Sequence, residues 1–407
     1  MNPSLNLPLQ LNERTILIDV LRGFALLGVI IANLAGFITF ALPDEQVALL
    51  TNTKADKIAG HFLMLFIDNK FITIFSLLFG YGFGVVMERV AAKGINVNSF
   101  FIRRMLILFL FSLLHLGIWW GEILNVYSTC GLLLLFFRKS SNRKLLIWAA
   151  VLLLICTPLI QGLKIYLLPA NTVELDNLLT EYVISMKGKS IPDILYANYK
   201  AVWYIFFERW SQYRDMCEVL AKFLIGYYVL RMGWLSNIGS YLPGIKKMQK
   251  ITLLISLFYL LEKIVIEIYG FKLSGNEMKL AEYVFTRVGI LSLSIFYCTT
   301  LVLIYHNNKD LKLFQSFRWV GMMSLTNYLT QTLFYVVLFY GLGFGMLGNI
   351  HLQWVIPIGV AFYFLQSILS CYWLRYFNYG PAEWIWRQLT YGKKFPLKKH
   401  YQSHQIP

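Results

Sequence analysis

Three polar residues stand inside the first long apolar run, LIDVLRGFALLGVIIANLAGF at 17–37: Asp19, Arg22 and Asn33. A charge in the middle of such a run costs about 3 kcal/mol in hydrocarbon, so each needs a partner or a task. At 100° per residue the three fall within an arc of about 60° on a helix, which makes one polar face. Asp19 and Arg22 are three apart, the spacing of facing neighbours. Arg22 and Asn33 share a stripe and are separated by about 16 Å along the axis. Arg22 can pair Asp19 or hold a phosphate, and Asn33 can orient a carbonyl or stabilise an oxyanion. The plainer reading of Asp19–Arg22 is an ion pair that snorkels at a helix end and pins it.

Other polar residues recur at membrane depth in later runs. His115 is followed by Trp119, Trp120 and Glu122, the last about two turns away. Glu262, Lys263 and Glu267 lie in one later run and Arg287 in the next. Ser324, Asn327, Tyr328, Gln331 and Thr332 follow at helical spacing. Lipid penalises every one of these groups, so they are expected to converge on an internal cavity. Glu122, Glu262, Arg287, Asn327 and Gln331 are therefore candidate substrate-binding residues. His115 is the one histidine inside a clearly apolar run, and imidazole is the usual proton carrier near neutral pH. His61, at the edge of the 57–67 stretch, is a second candidate, while His351 falls in a short loop. The five cysteines are scattered without C-x-x-C spacing and read as small buried hydrophobes, so no metal site is expected.

The elements that position these groups follow from composition. Of 407 residues 57% are hydrophobic and 14% charged, with a mean hydropathy of +0.58. That is too little polar surface for a water-soluble fold, so the expected class is an all-α polytopic transmembrane bundle in a lipid bilayer. Ten apolar runs are long enough to be spans: 15–38, 70–88, 103–120, 122–137, 144–163, 215–233, 249–270, 283–305, 319–341 and 353–374. The 57–67 stretch reads as an amphipathic interfacial helix, with one long span carrying Asp68 and Lys70 as the alternative.

The net charge of +16 is a topology signal rather than a nucleic-acid footprint. Of 37 Lys and Arg, 22 fall on one alternating set of loops, 10 on the other, and Arg22, Lys70, Lys222, Lys263 and Arg287 lie within runs. The positive-inside rule then puts both termini in the cytoplasm, and no cleavable signal peptide is expected. The chain divides into a five-span part at 14–165, an extracytoplasmic loop with helix at 166–214, a second part at 215–392 and a basic tail at 393–407. These make one transmembrane domain, 1–407. GYGFG at 80–84 suits close helix packing. In the tail, Pro381 starts a short helix in which Trp384 and Trp386 act as interfacial anchors and Glu383 pairs Arg387.

LIDVLRGFALLGVIIANL, NKFITIFSLLFGYGFG, GMMSLTNYLTQT and YGPAEWIWRQLTYG occur in order between residues 14 and 392. They resemble the successive signatures of the bacterial DUF418/YeiB family. That family is grouped with transmembrane acyltransferases such as heparan-alpha-glucosaminide N-acetyltransferase, which share an R-G-x-A start to the first helix. The resemblance implies an inner-membrane protein that takes an acyl group from a cytoplasmic thioester donor such as acyl-CoA. The acceptor would be an amine or hydroxyl, on a small molecule or glycan, outside. Asp19 and Arg22 would serve the donor, Asn33 would match the family's asparagine, and His115 or His61 would carry the proton or acyl group. No histidine follows Asn33 within the dozen residues where the family places one. Rival readings are an exporter and a non-catalytic scaffold; a homodimer is left open.

The topology is directly testable. Tags at 141 and 400 should react only from the cytoplasm and a tag at 180 only from outside; a cytoplasmic tag at 180 would invert every depth assigned above.

Overall fold

The computed structural model describes residues 16–167, 172–204, 210–269 and 275–399. The opening run forms α1 (Ile16–Thr39), followed by α2 (Asp44–Leu50) and α3 (Lys54–Phe62). Thr53 and Asp56 close a reciprocal capping box that starts α3. Next come α4 (Lys70–Ala92), α5 (Val97–Leu116), α6 (Leu124–Leu134), α7 (Asn142–Val151) and α8 (Thr157–Leu167). Asn96 and Ser141 cap α5 and α7 with their side chains. The central loop carries α9 (Thr172–Lys187) and α10 (Ile191–Val202). The second part contains α11 (Ser211–Arg231), α12 (Ile238–Tyr269) and α13 (Asn276–Asn307). It ends with α14 (Lys312–Met322), α15 (Ser324–Phe339), α16 (Val355–Tyr376) and α17 (Pro381–Tyr391). Among the described residues the only β feature is an isolated bridge, Phe377 to Lys398.

Six units are long and apolar enough to cross a membrane: Ile16–Thr39, Lys54–Ala92, Val97–Leu116, Asn142–Leu167, Asn276–Asn307 and Leu352–Tyr376. The other four apolar runs also fall on helices, which are shorter, interrupted or more charged. The reach from the central loop into α11, at 205–209, and the tail beyond 399 lie outside the described residues.

The 57–67 stretch does not lie apart from the bundle. It runs through a π-helical turn at Leu63–Ile67 into a break at Asp68–Asn69, where Asn69 takes a left-handed φ of 62°. The break lies beside the middle of α12 and α13. Lys70 is buried, and its ammonium donates to the Met64 carbonyl and to the Tyr259 hydroxyl at 3.3 Å. Tyr297 donates to the Phe66 carbonyl at 3.2 Å, and Ser294 to the Lys70 carbonyl at 3.0 Å. Carbonyls released by the break thus find donors inside the protein, which is the condition for irregular backbone at membrane depth. The charges of Asp68 and Lys70 sit at the interruption of a helix.

Two helix crossings are built on glycine. A Cβ on Gly321 would stand 1.8 Å from the Asp19 carbonyl oxygen, and one on Gly23 would stand 1.9 Å from that of Phe317, so α1 and α14 touch backbone to backbone. A Cβ on Gly80 would stand 2.2 Å from the Phe223 carbonyl oxygen and one on Gly226 2.0 Å from that of Leu77, so α4 and α11 approach in the same way. GYGFG therefore does pack closely through Gly80 and Gly84. Gly82 points the other way, toward Arg22.

Gly321→Leu should cost about 3 kcal/mol or more, because the obstacle is backbone that cannot turn aside. Gly239→Leu, which meets open space, should leave the thermal midpoint in detergent unchanged. Equal midpoints would remove the glycine crossing as a determinant of the fold.

Candidate functional site

The crossings leave a cavity of ≈ 190 Å³ between α1, α4, α5, α15 and α17. Its mouth lies at the end of the bundle where α1 begins and is lined by Asp19, Arg22, Arg89, Arg104, Glu383 and Arg387. Behind the mouth the lining turns apolar, with Leu26 and Val29 from α1 and Ile72, Phe75 and Phe79 from α4. The floor is Ile123, Leu124 and Tyr328. From Arg89 to Ile72 the lining follows α4 for about 25 Å.

Five of the six mouth residues are placed by contacts within the described chain. Arg22 pairs Asp19 at 3.4 Å, and a Cβ on Gly82 would stand 2.6 Å from its Nη2, so the glycine clears room for the guanidinium. Arg104 lies 3.6 Å over the ring of Trp386, whose indole donates to the Arg104 carbonyl at 3.1 Å. Glu383 does not pair Arg387. It accepts from the backbone of Leu325 at 2.7 Å, from that of Thr326 at 3.2 Å and from the Thr326 hydroxyl at 2.5 Å, capping α15 where the chain breaks after α14. Trp386 is likewise buried, so α17 is part of the cavity wall rather than an interfacial anchor. Arg387 stacks at 4.6 Å on Tyr379.

Beyond the floor lies the histidine. The Tyr328 ring is 5.3 Å from that of His115, which is itself 4% exposed. His115 Nε2 bonds the Thr332 hydroxyl at 2.8 Å, and Nδ1 faces Glu122 Oε1 at 3.8 Å. Glu122 is buried and caps α6 by accepting from the Leu124 and Asn125 backbone, the latter at 3.1 Å. The Tyr335 hydroxyl, one turn from Thr332, donates to the Ile30 carbonyl of α1 at 3.4 Å, in the turn that precedes Asn33. The far side is covered by α9 and α10. Asn198 accepts from the Trp120 amide at 3.0 Å and donates to the Gly117 carbonyl at 3.1 Å, while the Gly341 amide bonds the Met186 carbonyl at 2.8 Å.

The structure thus gathers Asp19 and Arg22 at the mouth, and Asn33, His115 and Glu122 beyond the floor. It separates the rest. His61 is partly exposed and pairs Glu267 at 2.9 Å at the end of α12. Arg287 belongs to a buried cluster on Glu218, which it meets at 3.1 Å alongside Lys222 at 3.3 Å and the Tyr283 hydroxyl at 2.9 Å. Glu262 meets Lys263 at 3.4 Å, and Lys263 in turn meets Glu282 at 2.9 Å. Asn327 and Gln331 join α15 to its neighbours: Asn327 donates to the Val320 carbonyl at 3.0 Å and Gln331 to Gln366 at 3.1 Å. Sequence reasoning missed Glu218, Arg89, Arg104, Arg387 and Trp386. Its one usable signal was that Arg89 and Arg104 flank apolar runs on the same side as Arg22. Among the described residues no three His, Cys, Asp or Glu groups could hold a metal ion.

An apolar helical bundle with charge held between its helices is a multi-pass membrane protein. The chain belongs to the DUF418 family: residues 229–393 match the family described as protein of unknown function (DUF418). It is 31% identical over 412 residues to the uncharacterized protein YxaH of Bacillus subtilis strain 168, covering 96% of this chain and 98% of that one. The uncharacterized 39.9 kDa protein in the amylase 3′ region of Bacillus acidopullulyticus is 30% identical over 393 residues, 96% of this chain and 97% of its own. YeiB of Escherichia coli K12 is 28% identical over 417 residues, 93% and 96% of the two chains. No solved structure matches the chain.

Glu383→Ala should lower stability by about 2–3 kcal/mol, since it strands donors at the start of α15 that a carboxylate had satisfied. Glu383→Gln, which keeps one acceptor oxygen, should lose less. Thermal midpoints of the two variants that do not differ would mean that water replaces the cap.

Proposed function

We propose that this protein is a membrane acyltransferase that carries an acyl group from a thioester donor at the cavity mouth to an amine or hydroxyl on the opposite side. The observation that carries this reading is the buried His115–Glu122 pair one side chain beyond the floor of a cavity with an arginine-lined mouth. On this reading the mouth faces the cytoplasm, where thioester donors are found, and the setting is a bacterial inner membrane; the distribution of Lys and Arg and the bacterial relatives support it.

In this mechanism the acceptor's N–H or O–H gives its proton to His115, and its nitrogen or oxygen bonds to the acyl carbon. The carbon–sulfur bond breaks and the thiolate leaves toward the mouth, taking up a proton from water. Glu122 stabilises the imidazolium that forms, as a buried carboxylate facing Nδ1 should. Tyr328 stands between donor and His115 and must turn aside or pass the proton. Asn33 orients the carbonyl. An exporter is the second reading, favoured by the two interrupted helices at Asp68–Asn69 and at Met323, a feature of substrate paths in transporters.

Release of free thiol from acyl-CoA by purified protein, dependent on an added amine or alcohol, tests the enzyme. His115→Ala should reduce transfer about 100- to 10,000-fold with the donor still bound, and His61→Ala should leave it intact. Transfer that survives His115→Ala removes the mechanism, and substrate counterflow in proteoliposomes without thiol release installs the exporter.

A further inference from the structure

Thr332 spends its hydroxyl differently from most threonines in the bundle. Thr157, Thr252, Thr299 and Thr390 each donate to the carbonyl four residues back, the usual bond of a threonine inside a helix. Thr332, buried on α15, makes no such bond among the described residues. Its hydroxyl meets His115 Nε2 at 2.8 Å instead. The other ring nitrogen, Nδ1, makes no hydrogen bond among the described residues and faces Glu122 Oε1 at 3.8 Å. Glu122 is fixed in turn by the first amides of α6. A hydroxyl, an imidazole and a carboxylate in that order, brought together from α15, α5 and the start of α6, are the parts of an activated nucleophile. The tautomer with its proton on Nδ1, toward the carboxylate, leaves Nε2 to accept the threonine proton.

We infer that Thr332 is the catalytic nucleophile and that transfer passes through an acyl ester on its Oγ1. The inference rests on the acyltransferase reading and divides its single step into two. In the first, the Thr332 proton passes to His115 Nε2, Oγ1 bonds to the acyl carbon, and the carbon–sulfur bond breaks. The leaving thiolate takes that proton from the imidazolium and departs as thiol toward the mouth. In the second, the acceptor's N–H or O–H gives its proton to Nε2, and its nitrogen or oxygen bonds to the ester carbon. The bond from that carbon to Oγ1 then breaks, and Oγ1 recovers the proton. Glu122 faces the imidazolium in both halves. Direct attack by the acceptor, in contrast, has first to displace Thr332 from Nε2, because the other nitrogen is turned to the carboxylate. Acylation removes the Thr332 proton and with it that hydrogen bond, which frees Nε2 for the acceptor. Donor and acceptor, arriving from opposite ends of the bundle, then need never occupy the site together. Tyr328, one turn before Thr332 on the same helix face, covers the pair and has to turn aside for the first half. Its cover, with that of α9 and α10, keeps water from the ester.

Mass spectrometry of the trapped intermediate decides it. The purified full chain in detergent is mixed with acetyl-, hexanoyl- or palmitoyl-CoA without acceptor, quenched in acid and digested. The acyl mass should appear at Thr332, with about one free thiol released per chain in a burst. Thr332→Val keeps the shape and removes the hydroxyl; it should lose the label and slow transfer by about a thousandfold or more. Thr332→Ser should be labelled at the same position and transfer within about tenfold of the parent, which separates loss of the nucleophile from loss of packing. His115→Ala should leave Thr332 unlabelled with the donor still bound. A label on His115 instead, thiol release with Thr332 unlabelled, or transfer by Thr332→Val at the parent's rate overturns the inference and leaves direct transfer standing. No thiol release from any of the three donors, with or without an added amine, fails the acyltransferase reading and the ester with it.

Discussion

A polar group inside a bundle this apolar has no water to fall back on, so every interruption of a helix has to be completed by another part of the chain. Four such completions organise the molecule. Lys70 closes the break at Asp68–Asn69 through the Met64 carbonyl, and Glu383 caps α15 from 58 residues away. Asn198 bonds backbone on both sides of the turn after α5, and Glu122 caps α6 while facing His115. Each side chain ties together elements that hydrophobic contact alone would leave free to slide, because apolar side chains gain little by leaving lipid for one another. The cavity exists because these ties hold α1, α4, α5, α15 and α17 apart at one end while glycine draws α1 to α14 and α4 to α11.

The same constraint divides the buried charges into two kinds. Around Glu218, cations and a tyrosine surround the carboxylate closely, so the cluster reads as a brace between α11 and α13. At the cavity mouth the cations exceed the carboxylates, and one carboxylate is committed to backbone. Function is sought at the cavity rather than in the denser charge cluster.

Access follows from the ends of the bundle. The mouth is walled by α17, whose Trp386 and Arg387 bring aromatic and cationic groups to the cavity, while the opposite end is closed by α9 and α10 over Trp120. His115 consequently has an apolar shaft on one side and a polar lid on the other, with Tyr328 as the partition from the shaft. A group transferred across this protein would have to pass Tyr328, and an acceptor would have to displace the α9–α10 contacts.

The sequence by itself determined the all-α class, the placement of the apolar runs on helices and the proximity of Asp19 to Arg22. These are consequences of composition and of helical periodicity, which act over a few turns and survive without knowledge of neighbours. Only the tertiary structure decided which polar residues meet. His61 and Arg287 were candidates beside His115 and Arg22, yet one pairs Glu267 at the surface and the other braces Glu218. Glu383 was four residues from Arg387, a sound helical pair, and turned instead to the start of α15, where three donors outcompete one cation. Arg104 carried no sign that Trp386, 282 residues away, would lie against it. Periodicity specifies the face a residue occupies, but which helix that face meets depends on close approach at Gly23, Gly80, Gly226 and Gly321, and that is settled only when the whole bundle packs.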